Sequence, residues 1–90
     1  MTLDQIIERV KQIGEKCHAE QVILFGSFAK GTATRYSDID IAVSGVENIG
    51  AFRQEIEEIE TLRSIDIVDI EKCGNQLLLE EIKQYGRKIL

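Results

Sequence analysis

Gly26 and Ser27 close an apolar run, VILFGS, and after ten further residues Asp38 and Asp40 stand two apart in SDIDIAV. These are the residues whose types and spacing could do chemistry. DIDIAV has the alternation and β-branched content of a strand, in which successive side chains point to opposite faces. Both carboxylates therefore emerge on one face, about 6 to 7 Å apart along the strand. Ile39, Ile41 and Val43 take the other face and read as core. Two carboxylates held so close repel unless a cation stands between them, and hard oxygen ligands on a rigid strand suit Mg²⁺. The Gly-Ser corner puts backbone N–H groups and a hydroxyl where a phosphate could dock. Glycine suits that corner because a Cβ would obstruct the close approach of backbone to phosphate. A phosphate-binding turn facing a divalent-metal site is the minimum equipment for phosphoryl or nucleotidyl transfer.

Two-metal transfer chemistry wants a further carboxylate, and SIDIVDI offers two. Ile65 and Ile67 belong in the core, so Asp66 points to the opposite, open face. Asp69 shares the parity of the isoleucines and cannot lie deep in that core unpaired. It is expected at the strand's end, as a cap for the next turn of chain. Asp66 is thus the candidate to join Asp38 and Asp40 as catalytic residue and metal ligand. Lys30 and Arg35 lie between the halves of the motif and could neutralise phosphate, although single basic residues are more often plain surface charges. Ser37 is expected to position the start of the strand. His18 has no neighbours with which to form a triad.

Periodicity locates the elements that must hold these groups. Thr2 and Gln5 have the form of a capping box, and Leu3, Ile6, Ile7, Val10 and Ile13 recur at helical spacing up to a stop near Gly14 to Cys17. QVILF reads as a buried strand, SFAKG as a short helical turn closed by Gly31, and DIDIAV as the second strand. Asn48 is a candidate cap for a helix whose apolar face is Ile49, Phe52, Ile56, Ile59 and Leu62. The acidic face of that helix (Glu55, Glu57, Glu58, Glu60) reads as solvated surface. SIDIVDI is the third strand. NQLLLEEIKQY is a last helix with Leu78, Ile82 and Tyr85 on one stripe, stopped at Gly86, and RKIL suits a short edge strand. The order predicts an α/β (α+β) chain with a small mixed sheet and helices on one face, leaving the other free for a site.

Composition bounds the rest. Ninety residues, 43% apolar and 30% charged, suit one domain with one modest core. A net charge of −5 argues against direct, sequence-independent grip on nucleic acid, which needs a basic surface. It leaves room for a nucleotide whose charge is met locally by metal. Cys17 and Cys73 lack the paired spacing of a zinc site and read as reduced thiols. The charged N-terminal segment is neither a signal peptide nor a membrane span, which points to the cytoplasm.

GSFAKGTATRYSDID, with the later Ile-Asp-Ile strand, resembles the signature of the nucleotidyltransferase superfamily related to DNA polymerase β. The likeness is nearest to its minimal nucleotidyltransferase (MNT) proteins and covers nearly the whole chain, residues 1–90 as one domain. The resemblance implies that Asp38, Asp40 and Asp66 hold two Mg²⁺ ions, with Gly26 and Ser27 at the phosphates of ATP. It further implies a partner: minimal transferases of this kind pair with helical HEPN proteins, some as antitoxins that adenylylate a tyrosine of the HEPN toxin. Two alternatives stay open, an adenylyltransferase subunit acting on a small hydroxylated molecule and a non-catalytic antitoxin acting by contact. Assembly into a homo-oligomer also stays open.

Overall fold

The computed structural model describes Met1–Leu90. In chain order the elements are α1 (Leu3–Lys16), β1 (Gln21–Phe25), α2 (Ser27–Lys30), β2 (Ile39–Ser44), α3 (Ile49–Glu57), β3 (Ile65–Asp69), a 3₁₀ turn (Ile70–Lys72), α4 (Gln76–Tyr85) and β4 (Arg87–Lys88). The local signals act as their chemistry requires. Gln5 N–H donates to Thr2 Oγ1 at 3.2 Å and Thr2 N–H donates to Gln5 Oε1 at 2.8 Å, a reciprocal capping box. Asn48 Oδ1 and Asn75 Oδ1 cap α3 and α4. Gly31 ends α2 in the left-handed conformation, and Asp69 caps the 3₁₀ turn by accepting from Glu71 N–H at 3.1 Å.

The sheet is mixed, in the order β3-β2-β1-β4. β1 runs antiparallel to β2 and β4, whereas β2 and β3 are parallel and α3 forms the crossover between them. One face carries Val22, Leu24, Ile39, Ile41 and Val43. They pack with Ile6, Val10 and Ile13 of α1 and with Phe52, Ile56 and Ile59 in and after α3. Alternate residues turn the other way: Phe25 and Ala42 form a smaller cluster with Ile82 of α4, flanked by Ile23, Val68, Ile70 and Leu78.

The mixed sheet is as expected, but its helices are not confined to one face. α1 and α3 cover one side and α4 half-covers the other. The strands themselves explain this: Ile23, Ala42 and Val68 make the second face apolar over most of its length, and that surface must be removed from water. A second difference concerns α3, which ends at Glu57, so that Leu62 lies beyond it and is fully exposed. Glu55 also departs from the solvated acidic face. It accepts from Lys16 Nζ at 2.6 Å, tying α3 to the end of α1. Hydrogen bonding to Lys16 holds the Glu55 carboxyl below its ordinary range, and the same bond raises Lys16. Burial, then the Glu55 charge, pushes the Cys17 thiol up, so it stays protonated; Cys17 and Cys73 are both free thiols. No helix is long and apolar enough to cross a membrane.

Candidate active site

In the parallel pair, Asp40 of β2 lies directly beside Asp66 of β3. Neighbouring strands stand about 4.8 Å apart, so the two carboxylates share one face at adjacent positions. Asp38 immediately precedes β2, whose start is fixed by Ile39 N–H donating to Ser64 O at 2.9 Å. On its other side Asp40 is paired with Phe25, the last residue of β1, after which the chain turns at Gly26. Gly26, Asp38, Asp40 and Asp66 therefore meet at the end of the sheet face that α4 leaves open, with Ser27 next in the chain. Asp69, at the far end of β3, is a cap and stands apart from them.

Gly26 is fixed by its surroundings. Its φ is +72°, and a Cβ built there would run into Asp40 Oδ2. The glycine is thus required by the crowding of a carboxylate as well as by its left-handed backbone. Gly26 is also the N-cap of α2, so Ser27 is the first helical residue and its hydroxyl is not engaged in capping. The N–H groups of Ala29 and Lys30 both donate to Gly26 O at 3.1 Å, so the donors α2 can offer at the corner are its first two, those of Ser27 and Phe28.

The electrostatics point the same way. Asp40 is half-buried, and its carboxyl is pushed above its ordinary range by burial first, then by the charges of Asp66, Asp38 and Glu81. Lys16 pairs with Glu55, Lys30 with Glu81, and His18 Nδ1 lies 3.2 Å from Glu47, so Asp38, Asp40 and Asp66 have no cationic partner. Their oxygens are acceptors only, the hard donor set that a divalent ion takes. They do not form a closed cage, for no three acidic, His or Cys side chains gather tightly enough to hold an ion by themselves. That arrangement fits Mg²⁺, which keeps several waters and is commonly held by one or two carboxylates together with substrate phosphates.

Three contributors escaped the reading of the sequence. Arg63, in the loop before β3, donates from Nη1 to Ser37 O at 2.8 Å and Thr34 O at 3.3 Å, and its guanidinium lies 5.0 Å from the Phe28 ring. It pins the segment that delivers Asp38 onto α2. Within that segment Thr34 N–H donates to Ser37 Oγ at 2.8 Å, the positioning expected of Ser37. No periodicity marks Arg63. Glu81, by contrast, had a signal, for it stands with Leu78, Ile82 and Tyr85 at the spacing of the apolar stripe of α4, where an acid is out of place. It accepts from Lys30 Nζ, which also lies 5.3 Å from the centre of the Tyr85 ring. α4, the third contributor, thereby becomes a wall of the site.

The family model Polymerase beta, Nucleotidyltransferase matches residues 6–90. The chain belongs to this family. Two proteins of Methanocaldococcus jannaschii are similar to this nucleotidyltransferase. One, named "Putative protein adenylyltransferase MJ1305", is 36% identical over 73 residues, 80% of this chain and 46% of that protein. The other, MJ1379, carries the same description and is 38% identical over 89 residues, 91% of this chain and 89% of that protein. The chain thus spans about half of the first relative and most of the second. A crystal structure of a toxin-antitoxin with AMP-PNP shares the fold, with a TM-score of 0.75 at 24% identity over 93% of this chain and 72% of that one. A Tyr→Ala variant of the toxin-antitoxin MntA-HpeT gives a TM-score of 0.67 at 25% identity over 98% and 71%.

Proposed function

We propose that this nucleotidyltransferase moves AMP from ATP to a tyrosine hydroxyl of a helical HEPN-type partner protein, and acts as the antitoxin of a toxin–antitoxin pair. The observation that carries the reading is the side-by-side register of Asp40 and Asp66 at the Gly26–Ser27 corner. That arrangement offers a seat for a triphosphate at the turn and carboxylates where the α-phosphorus would lie. The similar proteins described as adenylyltransferases support AMP as the transferred group. The toxin-antitoxin structures of like fold support the class of partner, and one is a variant with two Asp→Glu substitutions two residues apart, the spacing of Asp38 and Asp40 here. The whole of residues 1–90 is read as one minimal transferase domain.

In this reaction the tyrosine oxygen forms a bond to the α-phosphorus, the bond from that phosphorus to the bridging oxygen breaks, and pyrophosphate leaves. Asp66, the more exposed of the facing pair, is read as standing beside the incoming hydroxyl and taking up its proton. Gly26 leaves room for the phosphates, and Ser27 donates to them from its hydroxyl or N–H. Asp38, Asp40 and Asp66 are the residues to hold Mg²⁺, which when bound offsets the triphosphate's charge and lowers the pKa of the attacking hydroxyl. α4 walls the site on one side and leaves the rest of that face open, and orientation of an acceptor there can be worth up to about 7 to 11 kcal/mol of barrier. A protein acceptor that brings its own surface supplies the remaining wall.

Incubation with the protein encoded beside this chain, ATP and Mg²⁺ is expected to raise that protein's mass by one or more AMP units. The Asp38→Ala/Asp40→Ala double variant is expected to give no shift. A partner silenced equally well by the double variant, with no mass change in the wild-type reaction, would replace transfer by inhibition through contact.

A further inference from the structure

We infer that Glu81 is a decoy partner for Lys30: it holds the lysine that borders the site away from Asp40 and so keeps the metal position free. The inference rests on the reading that Asp38, Asp40 and Asp66 bind a divalent ion. Lys30 is the last residue of α2, one helical turn beyond Gly26, and Gly26 is packed against the Asp40 carboxylate. A flexible ammonium so placed has an obvious partner in a half-buried, unpaired carboxylate flanked by two others. Such a pair would put a monovalent charge where the divalent ion belongs. Instead Lys30 is paired with Glu81, and both side chains are about one-third exposed. The Tyr85 face beside its ammonium holds it from the same helix, one turn on from Glu81. Glu81 reaches this position because α4 lies on the site face, packed through Ile82 and Leu78 against Phe25, Ala42 and Val68. It is also near enough for its charge to act on Asp40. Glu81 is therefore a positioning residue, acting on the metal site through the lysine it occupies.

A double-mutant cycle read by Mn²⁺ binding to the protein carrying a non-hydrolysable ATP analogue, by calorimetry corrected for Mn²⁺ binding to the analogue alone, tests this without reference to turnover. Glu81→Gln is expected to weaken Mn²⁺ binding by about ten-fold while Lys30 is present and by less than about two-fold in the Lys30→Met background. Glu81→Asp is expected to recover most of the affinity. If Glu81 acted only through its own charge, its loss would cost the same factor in both backgrounds, and that result would overturn the inference. Unchanged Mn²⁺ affinity in Glu81→Gln would overturn it as well. Absence of Mn²⁺ binding by the wild-type chain would instead remove the metal reading on which it stands. The cycle therefore distinguishes the two failures.

Discussion

The two faces of the sheet are built from the same strands and serve opposite ends. On one, every inward residue of β1 and β2 is aliphatic and fully buried, and α1 and α3 close over it. On the other, Phe25 and Ala42 are buried under Ile82, but the next position along β2 is Asp40, set beside Asp66 and crowded by Gly26. The first face holds the chain together. The second gives up burial at its end and concentrates like charge there. Stability and function are thus separated by a single residue of strand parity, and substitutions should separate in the same way.

The largest effect is expected from the closed face. Phe52→Ala removes a fully buried ring at the centre of the core, and should cost about 3 to 5 kcal/mol in denaturant unfolding. That is a large share of the roughly 5 to 15 kcal/mol by which domains are stable, so activity would fall only as the folded fraction falls. Asp66→Asn is the counterpart on the open face. Transfer should slow by about 100-fold or more while ATP affinity stays within a few-fold and the unfolding midpoint holds, which pre-steady-state and binding measurements would read separately. Asp69→Ala, on the same strand but of core parity, should cost about 0.5 to 2 kcal/mol of stability through the lost cap and leave turnover intact. An Asp69 variant that is inactive and an Asp66 variant that is active would reverse the assignment of the two acids.

The subtlest effect has its own sign. Burial and neighbouring carboxylates raise the Asp40 pKa in the folded chain. The folded state therefore holds that proton more tightly than the unfolded one, and the stability so gained is lost as pH rises through the raised value. Asp40→Asn keeps the neutral form at all pH. The metal-free variant should melt above wild type at neutral pH, and the difference should vanish as pH falls below the ordinary carboxylate range. Adding Mg²⁺ together with ATP should raise the melting point of wild type and leave the variant nearly unchanged.

Much of this architecture is legible in the sequence, and the reasons are local. Thr2 with Gln5, Asn48 and Asp69 announce caps because capping is a bond between near neighbours in sequence. The parity of Asp40 and Asp66 is fixed by the pleat, which makes the separation of Asp66 from Asp69 readable without tertiary information. The stripe on α4 says that a helix has a buried side but not which sheet face it meets, so its place over the site is not legible. Leu62 continues an apolar period that the chain has already abandoned at Glu57. Arg63 and Lys30 act across the fold on partners 26 and 51 residues away, and no window along the sequence contains both ends.

The claim at the centre is that the open face is a metal-dependent nucleotide site. Calorimetric titration of ATP into the wild-type chain, in Mg²⁺ and again in EDTA, tests it most directly. Saturable heat with Mg²⁺ and almost none in EDTA is the expected result, because unneutralised carboxylates repel a triphosphate. Equal binding in both conditions would contradict it and leave Asp38, Asp40 and Asp66 as surface acids with no ion to hold.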